Sequence, residues 1–261
     1  MAVVALVREP SASLAECELS YVDRTSIDLS KARAQHAAYC AALRAVGAEV
    51  RVLPALDHLP DAAFLEDTAV VVDEIAVLGA LGAESRTPEA EAIAGTLQAY
   101  RTVRRLDRAG ATLEGGDVLR IGGMVYVGRS GRSNEAGHRG LRLLLEPLGY
   151  TLRDVPVEGC LHLKTGCSSA GDGIVVLNPS WVSARTFEQD GLTVVPVTPS
   201  EPWAANVLRI GQTLLIPAGN PATARRLLGA GLDPLEIDIS EFQKAEAGLT
   251  CLSLLIPPRA Q

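Results

Sequence analysis

A chain of 261 residues with 48% hydrophobic side chains can bury a large core, as one big domain or two small ones. Its net charge of −7 excludes nucleic acid and anionic membrane surfaces as partners, because both demand a basic footprint. No apolar run reaches the roughly 18 residues that span a bilayer, and the five cysteines (17, 40, 160, 167, 251) form neither a disulfide framework nor a Cys-x-x-Cys zinc site.

In chain order, Ala2–Val7 reads as a strand. It has no positive n-region, and Arg8 and Pro10 cut it short, so it is not a signal peptide and a reducing cytoplasm is the expected compartment. Arg8 to Leu29 is polar, irregular and long for a connection, the profile of a lid. Ser30 to Gly47 is helical, with Ser30 as the cap and Gly47 as the stop.

A unit then recurs. Strand Glu49–Pro54 leads to hairpin Phe64–Val72, turning at Asp73-Glu74 into Ile75–Gly79, with a helix from Pro88 to Tyr100. The second copy has strand Thr102–Leu106, hairpin Leu113–Ile121 turning at Gly122-Gly123 into Met124–Gly128, and helix Asn134–Leu148. The third has strand Thr151–Val157, hairpin Cys160–Leu177 turning at Gly171-Asp172-Gly173, and a weaker helical tail after Pro179. The fourth has strand Thr193–Val197, hairpin Ala204–Ile216 turning at Gly211-Gln212, and helix Pro221–Gly231. The fifth has strand Pro234–Ile239 and the apolar run Gly248–Ile256, read as a buried strand with Cys251 near its start. Its missing partner is the opening strand, which closes a ring and removes exposed sheet edges. An open α/β sheet also alternates strands with helices. The recurring tight hairpin turns favour the ring, since a wound parallel sheet has crossovers there.

The polar residues at the hairpin starts fall in register: Glu66-Asp67, Glu114, His162, Asn206 and Cys251, with Asp67 onward spaced by 47, 48, 44 and 45 residues. A closed ring brings equivalent positions to one end of one axis. Judged singly, Cys251 and His162 are core residues, Asp67 and Glu114 are edge carboxylates, and Gly115-Gly116 marks a bulge. Together they make a pocket of acids, an imidazole and a thiol. Carboxylates hold a planar guanidinium through paired charge-assisted bonds, a thiolate attacks its central carbon, and a histidine protonates the departing amine and then deprotonates water. Cysteine with histidine alone equally suggests a protease; the acids point to a cationic substrate.

These residues resemble the dimethylarginine dimethylaminohydrolases of the pentein superfamily. The pieces are Leu59-Pro60-Asp61 with Phe64-Leu65-Glu66-Asp67, Gly82-Ala83-Glu84-Ser85-Arg86, Leu113-Glu114-Gly115-Gly116-Asp117-Val118, Gly131-Arg132-Ser133-Asn134, Leu161-His162-Leu163-Lys164, Ala204-Ala205-Asn206 and Leu249-Thr250-Cys251. The resemblance implies a single-domain α/β propeller of five-fold pseudosymmetry, with residues 8–29 as the active-site lid. It implies Cys251 as nucleophile of a covalent S-alkylthiouronium, His162 as general acid and base, and Glu114 and Asp67 with Glu66 beside them at the guanidinium. Arg86 and Arg132 are expected at the substrate α-carboxylate, Asp61 at its amino-acid end, and Leu19 on the lid. No metal or organic cofactor is implied, and a homodimer stays open. The expected reaction is hydrolysis of Nω-methylated arginine to citrulline and an amine. Arginine deimination, amidino transfer and a non-catalytic binding protein on the same propeller are the rivals; the larger helical insertion usual in arginine deiminases is missing at this length.

Overall fold

The computed structural model describes residues 2–106 and 109–258. Among them, fifteen strands form five sheets of three. Each sheet is an antiparallel pair whose second strand pairs in parallel with a third, and in every case the parallel partner is reached through a helix. A parallel neighbour cannot be reached by a tight turn, so the crossover helix is obligatory.

The four sheets wholly internal to the chain follow one order. Strands β3 (Ala69–Val71), β4 (Ile75–Leu78) and β5 (Thr102–Arg104) enclose helix α2 (Thr87–Gln98). Strands β6 (Val118–Ile121), β7 (Met124–Arg129) and β8 (Thr151–Pro156) enclose α3 (Glu135–Leu145). In the next, β9 (Cys167–Gly171) follows the single-turn helix α4 (Leu163–Gly166), while β10 (Ile174–Leu177) reaches β11 (Thr193–Pro196) through α5 (Arg185–Glu188). The weak helical tail after Pro179 is thus only these four residues. Strands β12 (Leu208–Ile210), β13 (Thr213–Pro217) and β14 (Pro234–Ile237) enclose α6 (Pro221–Gly229).

The fifth sheet is built from both ends of the chain. Strand β1 (Val4–Arg8) pairs antiparallel with β15 (Leu254–Ile256), Val4 opposite Ile256, and parallel with β2 (Glu49–Leu53) beyond helix α1 (Leu29–Ala45). The opening strand is therefore the missing partner, and the ring closes. Helix α1 begins one residue earlier than the sequence suggested: the Asp28 carboxylate, not Ser30, accepts the Lys31 amide at 3.0 Å.

Middle strands such as Ile174-Val175-Val176-Leu177 are nearly continuous apolar runs because both of their faces are covered. The outer strand β2, with Glu49 and Arg51 exposed, is an edge protected by charge. The apolar core divides into five clusters, each joining two neighbouring units. Val70, Val72 and Val77 of the β3–β5 unit pack on Leu113, Val125 and Leu141 of the β6–β8 unit, and Leu6 and Leu254 of the terminal sheet pack on Leu65, Ala76 and Ile93. Each fully buried Leu or Ile contributes roughly 1.5–3 kcal/mol, and each cluster draws its members from more than one unit. The fold resembles an array in which no repeat owns its core, here bent into a circle.

Candidate active site

Each unit carries a short helical turn just before its innermost strand: Leu65–Thr68, Gly115–Asp117, α4, Pro202–Ala205 and Thr250–Leu252. Glu66-Asp67, Glu114, His162, Asn206 and Cys251 sit on or beside these turns. The run Gly248–Ile256 is accordingly not one strand; Cys251 lies on the turn and the strand begins at Leu254. The distinction matters because a strand alternates its side chains between two faces, whereas a tight turn aims consecutive residues along different directions.

Glu66 and Asp67 show the effect. Asp67, Arg86, Arg132, Asp61, His162 and Cys251 line one narrow cavity of only about 10 Å³, with Glu18, Phe64, Leu161 and the 245–247 segment. Glu66 instead lines a separate channel of about 310 Å³ between the five innermost strands. There its carboxylate receives the Lys164 ammonium at 2.6 Å and the Thr250 hydroxyl at 2.5 Å. Leu19 also lies apart from the cavity lining: it packs on the core cluster that holds Phe64, Leu249 and Leu252.

His162 is bound through Nε2 to Glu114 Oε2 at 2.7 Å, and its Nδ1 stands 3.8 Å from Asp67 Oδ1. All three side chains are buried. Burial by itself disfavours imidazolium, but the charges of Asp67, Glu114 and Asp117 outweigh it and raise the His162 pKa to about 9. Burial likewise opposes ionisation of Asp67, yet His162 and Arg86 hold its pKa below the usual carboxylate value. Burial pushes the Cys251 thiol up, the negative Glu66 and Asp67 push it further, and the Gly248 amide, 3.4 Å from Sγ, only partly offsets them. Burial and the two carboxylates thus favour the thiol form of Cys251.

Arg86 is held from both sides. One Nη donates to Asp67 at 2.9 Å, and Nε and the other Nη reach Glu89 at 3.1 and 2.9 Å. Its guanidinium also lies 3.9 Å from Glu114. Arg132 stands 3.8 Å from Glu114 and donates to Ser20 Oγ at 3.3 Å. Asp67, Glu114 and His162 offer ligand atoms within 4.8 Å of one another, a spacing that suits a cation.

Supporting residues complete the frame. Asn206 accepts the Thr250 amide at 2.9 Å and donates to Thr250 Oγ1 and the Lys164 carbonyl, pinning the turn that carries Cys251. Asp117 accepts the Leu163 amide at 2.9 Å and the Ser130 and Ser133 hydroxyls, pinning the turn after His162. Gly116 is required by space: a Cβ there would lie 2.6 Å from Asp67 Oδ1 and 2.7 Å from His162 Nδ1. Asn206 was legible from its register, whereas Glu89, Lys164 and Glu246 carried no signal of a role here.

The segment between β1 and α1 lies over the cavity, with side chains of other elements taking its backbone amides. Asp61 accepts the Glu18 amide at 3.1 Å, Ser85 donates to the Glu18 carboxylate, and Glu246 takes the amides of Ser20, Tyr21 and Val22. All five cysteines are free and buried, and no helix of the described residues is long and apolar enough to cross a membrane.

A family model described as N,N dimethylarginine dimethylhydrolase, eukaryotic, matches residues 15–212. The N(G),N(G)-dimethylarginine dimethylaminohydrolase of Streptomyces coelicolor is 39% identical over 96% of this chain and 95% of its own length. That of Pseudomonas aeruginosa is 33% identical over 87% and 89%. A crystal structure of a dimethylarginine dimethylaminohydrolase, a His-to-Gly variant in adduct with S-methyl-L-thiocitrulline, superposes with a TM-score of 0.92 at 31% identity, covering 98% of this chain and all of that one. The Pseudomonas aeruginosa enzyme as a Cys-to-Ser mutant complexed with citrulline gives the same TM-score. By sequence over nearly its whole length and by the ring that length folds into, the chain belongs to the dimethylarginine dimethylaminohydrolase family.

Proposed function

We propose that this protein hydrolyses Nω-methylated L-arginine to L-citrulline and dimethylamine or methylamine through a covalent adduct on Cys251. The observation that carries the reading is the shared cavity, which draws a thiol, an imidazolium and carboxylates from separate repeats to one place. Asp67 and Glu114 receive the guanidinium nitrogens. The incoming cation reverses the field that keeps Cys251 protonated, and the thiol proton passes to solvent as substrate binds. Sulfur then bonds to the guanidinium carbon, His162 gives its proton to the methylated nitrogen, and the C–N bond breaks to release the amine. The remaining S-alkylthiouronium is attacked by a water, one of whose protons passes to His162; the C–S bond breaks, the second proton returns the sulfur to thiol, and neutral citrulline departs.

Arg132 and Arg86 face the α-carboxylate and Asp61 the amino-acid end, with residues 8–29 as the lid that excludes water. Glu66 supports the Cys251 turn through Thr250 rather than touching substrate. Supplying dimethylarginine and measuring citrulline tests the reading. The expected result is turnover in the wild type, none in Cys251→Ser with binding kept, and a trapped adduct in His162→Gly. An unchanged rate in Cys251→Ser would refute the covalent route.

A further inference from the structure

Tyr39 lies on helix α1, the helix that follows the lid segment, and its side chain is fully buried. Its hydroxyl reaches two groups of the nucleophile's segment, the Leu249 carbonyl at 2.9 Å and Ser253 Oγ at 2.8 Å. Those two residues flank the Thr250–Leu252 turn that carries Cys251. A tyrosine hydroxyl has one proton and a carbonyl can only accept, so Tyr39 donates to Leu249 and Ser253 donates to Tyr39. Burial foremost raises the Tyr39 pKa, which keeps that proton in place.

Asn206 and Glu66 hold the turn through Thr250, ahead of Cys251. Among the described residues, Tyr39 is the one side chain that bonds on both sides of Cys251. The amide of Gly248, one residue before Leu249, stands 3.4 Å from Cys251 Sγ and favours its thiolate. Fixing the Leu249 carbonyl therefore fixes the backbone next to the group that eases ionisation of the sulfur. Helix α1 is a firm support for this. Its Gln35 accepts the Glu241 amide at 3.0 Å and donates to Ser240 Oγ at 2.9 Å, at the start of α7 (Ser240–Gln243), the helix that leads into the Cys251 segment.

We infer that Tyr39 is a positioning residue for the reaction, holding the Cys251 turn from both ends so that the sulfur keeps its place beside the Gly248 amide and in line with the guanidinium carbon. Tyr39 does not line the cavity, so it acts on substrate only through the turn. The inference rests on the proposed use of Cys251 as nucleophile and deepens it.

The test compares wild type with Tyr39→Phe, which keeps the buried ring and removes only the hydroxyl. Leu43→Ala, in the same core cluster, loosens α1 without touching a bond to the turn and serves as the comparison. With dimethylarginine, Tyr39→Phe is expected to lower kcat roughly 10- to 100-fold, the range of a displaced reacting group, with KM nearly unchanged. Leu43→Ala is expected to lose at least as much stability in urea and to keep kcat near the wild-type value. The second readout needs no substrate: alkylation of Cys251 by iodoacetamide across pH, followed on the Cys251 peptide by mass spectrometry. Tyr39→Phe is expected to slow it about tenfold, the scale of one hydrogen bond to a charged group, and Leu43→Ala to leave it nearly unchanged. Alkylation unchanged or faster in Tyr39→Phe, or equal losses in the two variants, would overturn the role. Slowed alkylation in Tyr39→Phe with a wild type that does not turn over dimethylarginine defeats the proposed reaction alone. Turnover by the wild type with kcat and alkylation both unchanged in Tyr39→Phe defeats this inference alone.

Discussion

The His162 Nε2 atom lies 2.7 Å from Glu114 Oε2, across the boundary between two neighbouring repeats and out of contact with solvent. That pairing orients the imidazole so that Nδ1 faces Asp67, and it stabilises the charged ring that supplies a proton to the leaving amine in the proposed reaction.

Glu114→Gln removes one of the charges that hold His162 protonated. The expected outcome is a fall in kcat of roughly 10²–10⁴, with the basic limb of the pH–rate profile displaced to lower pH. Steady-state citrulline release across pH checks both. A profile that keeps its basic limb in place would show that Glu114 does not set the state of the ring.

Stability should carry the same signature. The His162 pKa is about 9 in the folded protein against an ordinary 6.5, so the native state binds the proton more tightly than the unfolded chain does. Its contribution is full below about pH 6.5 and is lost as pH rises through about 9, amounting to roughly 3 kcal/mol. Urea unfolding at pH 6 and pH 9 should show a larger loss in the wild type than in His162→Gln. Parallel losses in the two proteins count against the assignment.

Gly116→Ala tests the packing around the pair. The added Cβ would press on Asp67 Oδ1 and His162 Nδ1 at 2.6 and 2.7 Å, and neither has room to move without breaking its own bonds. Activity should drop at least about 100-fold, as for other misplacements near 1 Å, while the melting temperature falls by only a few degrees, for about 1 kcal/mol. Near wild-type turnover would mean the site is looser than its geometry.

Asn206→Ala removes the clamp on the Cys251 turn. It leaves the buried Thr250 amide without its acceptor, at a cost of about 1–3 kcal/mol. Denaturant unfolding measures the loss, and the loosened turn should also slow the formation of the Cys251 adduct seen by mass spectrometry. Unchanged stability would show that water or a neighbour replaces the amide.

The extended strand drawn through Cys251 illustrates where reading along the chain stops. An apolar run between glycine and proline looks the same whether it opens with a turn or a strand, because both bury their side chains. The single turns that begin each repeat are too short to show a period, so Glu66 and Asp67 read as one acidic pair although they serve two separate cavities. Nothing in the sequence marks Glu89 as the buried partner of Arg86, because three residues on it looks like any exposed acid of a helix start.

From the sequence alone follow the repeat, its hairpins, the closing of the ring by the opening strand, and the register of Asp67, Glu114, His162 and Cys251, since period and spacing survive in one dimension. Direction does not survive. Which oxygen of Glu246 is left unpaired, which wall Glu66 faces and what pins the Cys251 turn are decided by contacts between residues up to 226 positions apart, and such contacts exist only once the circle has closed.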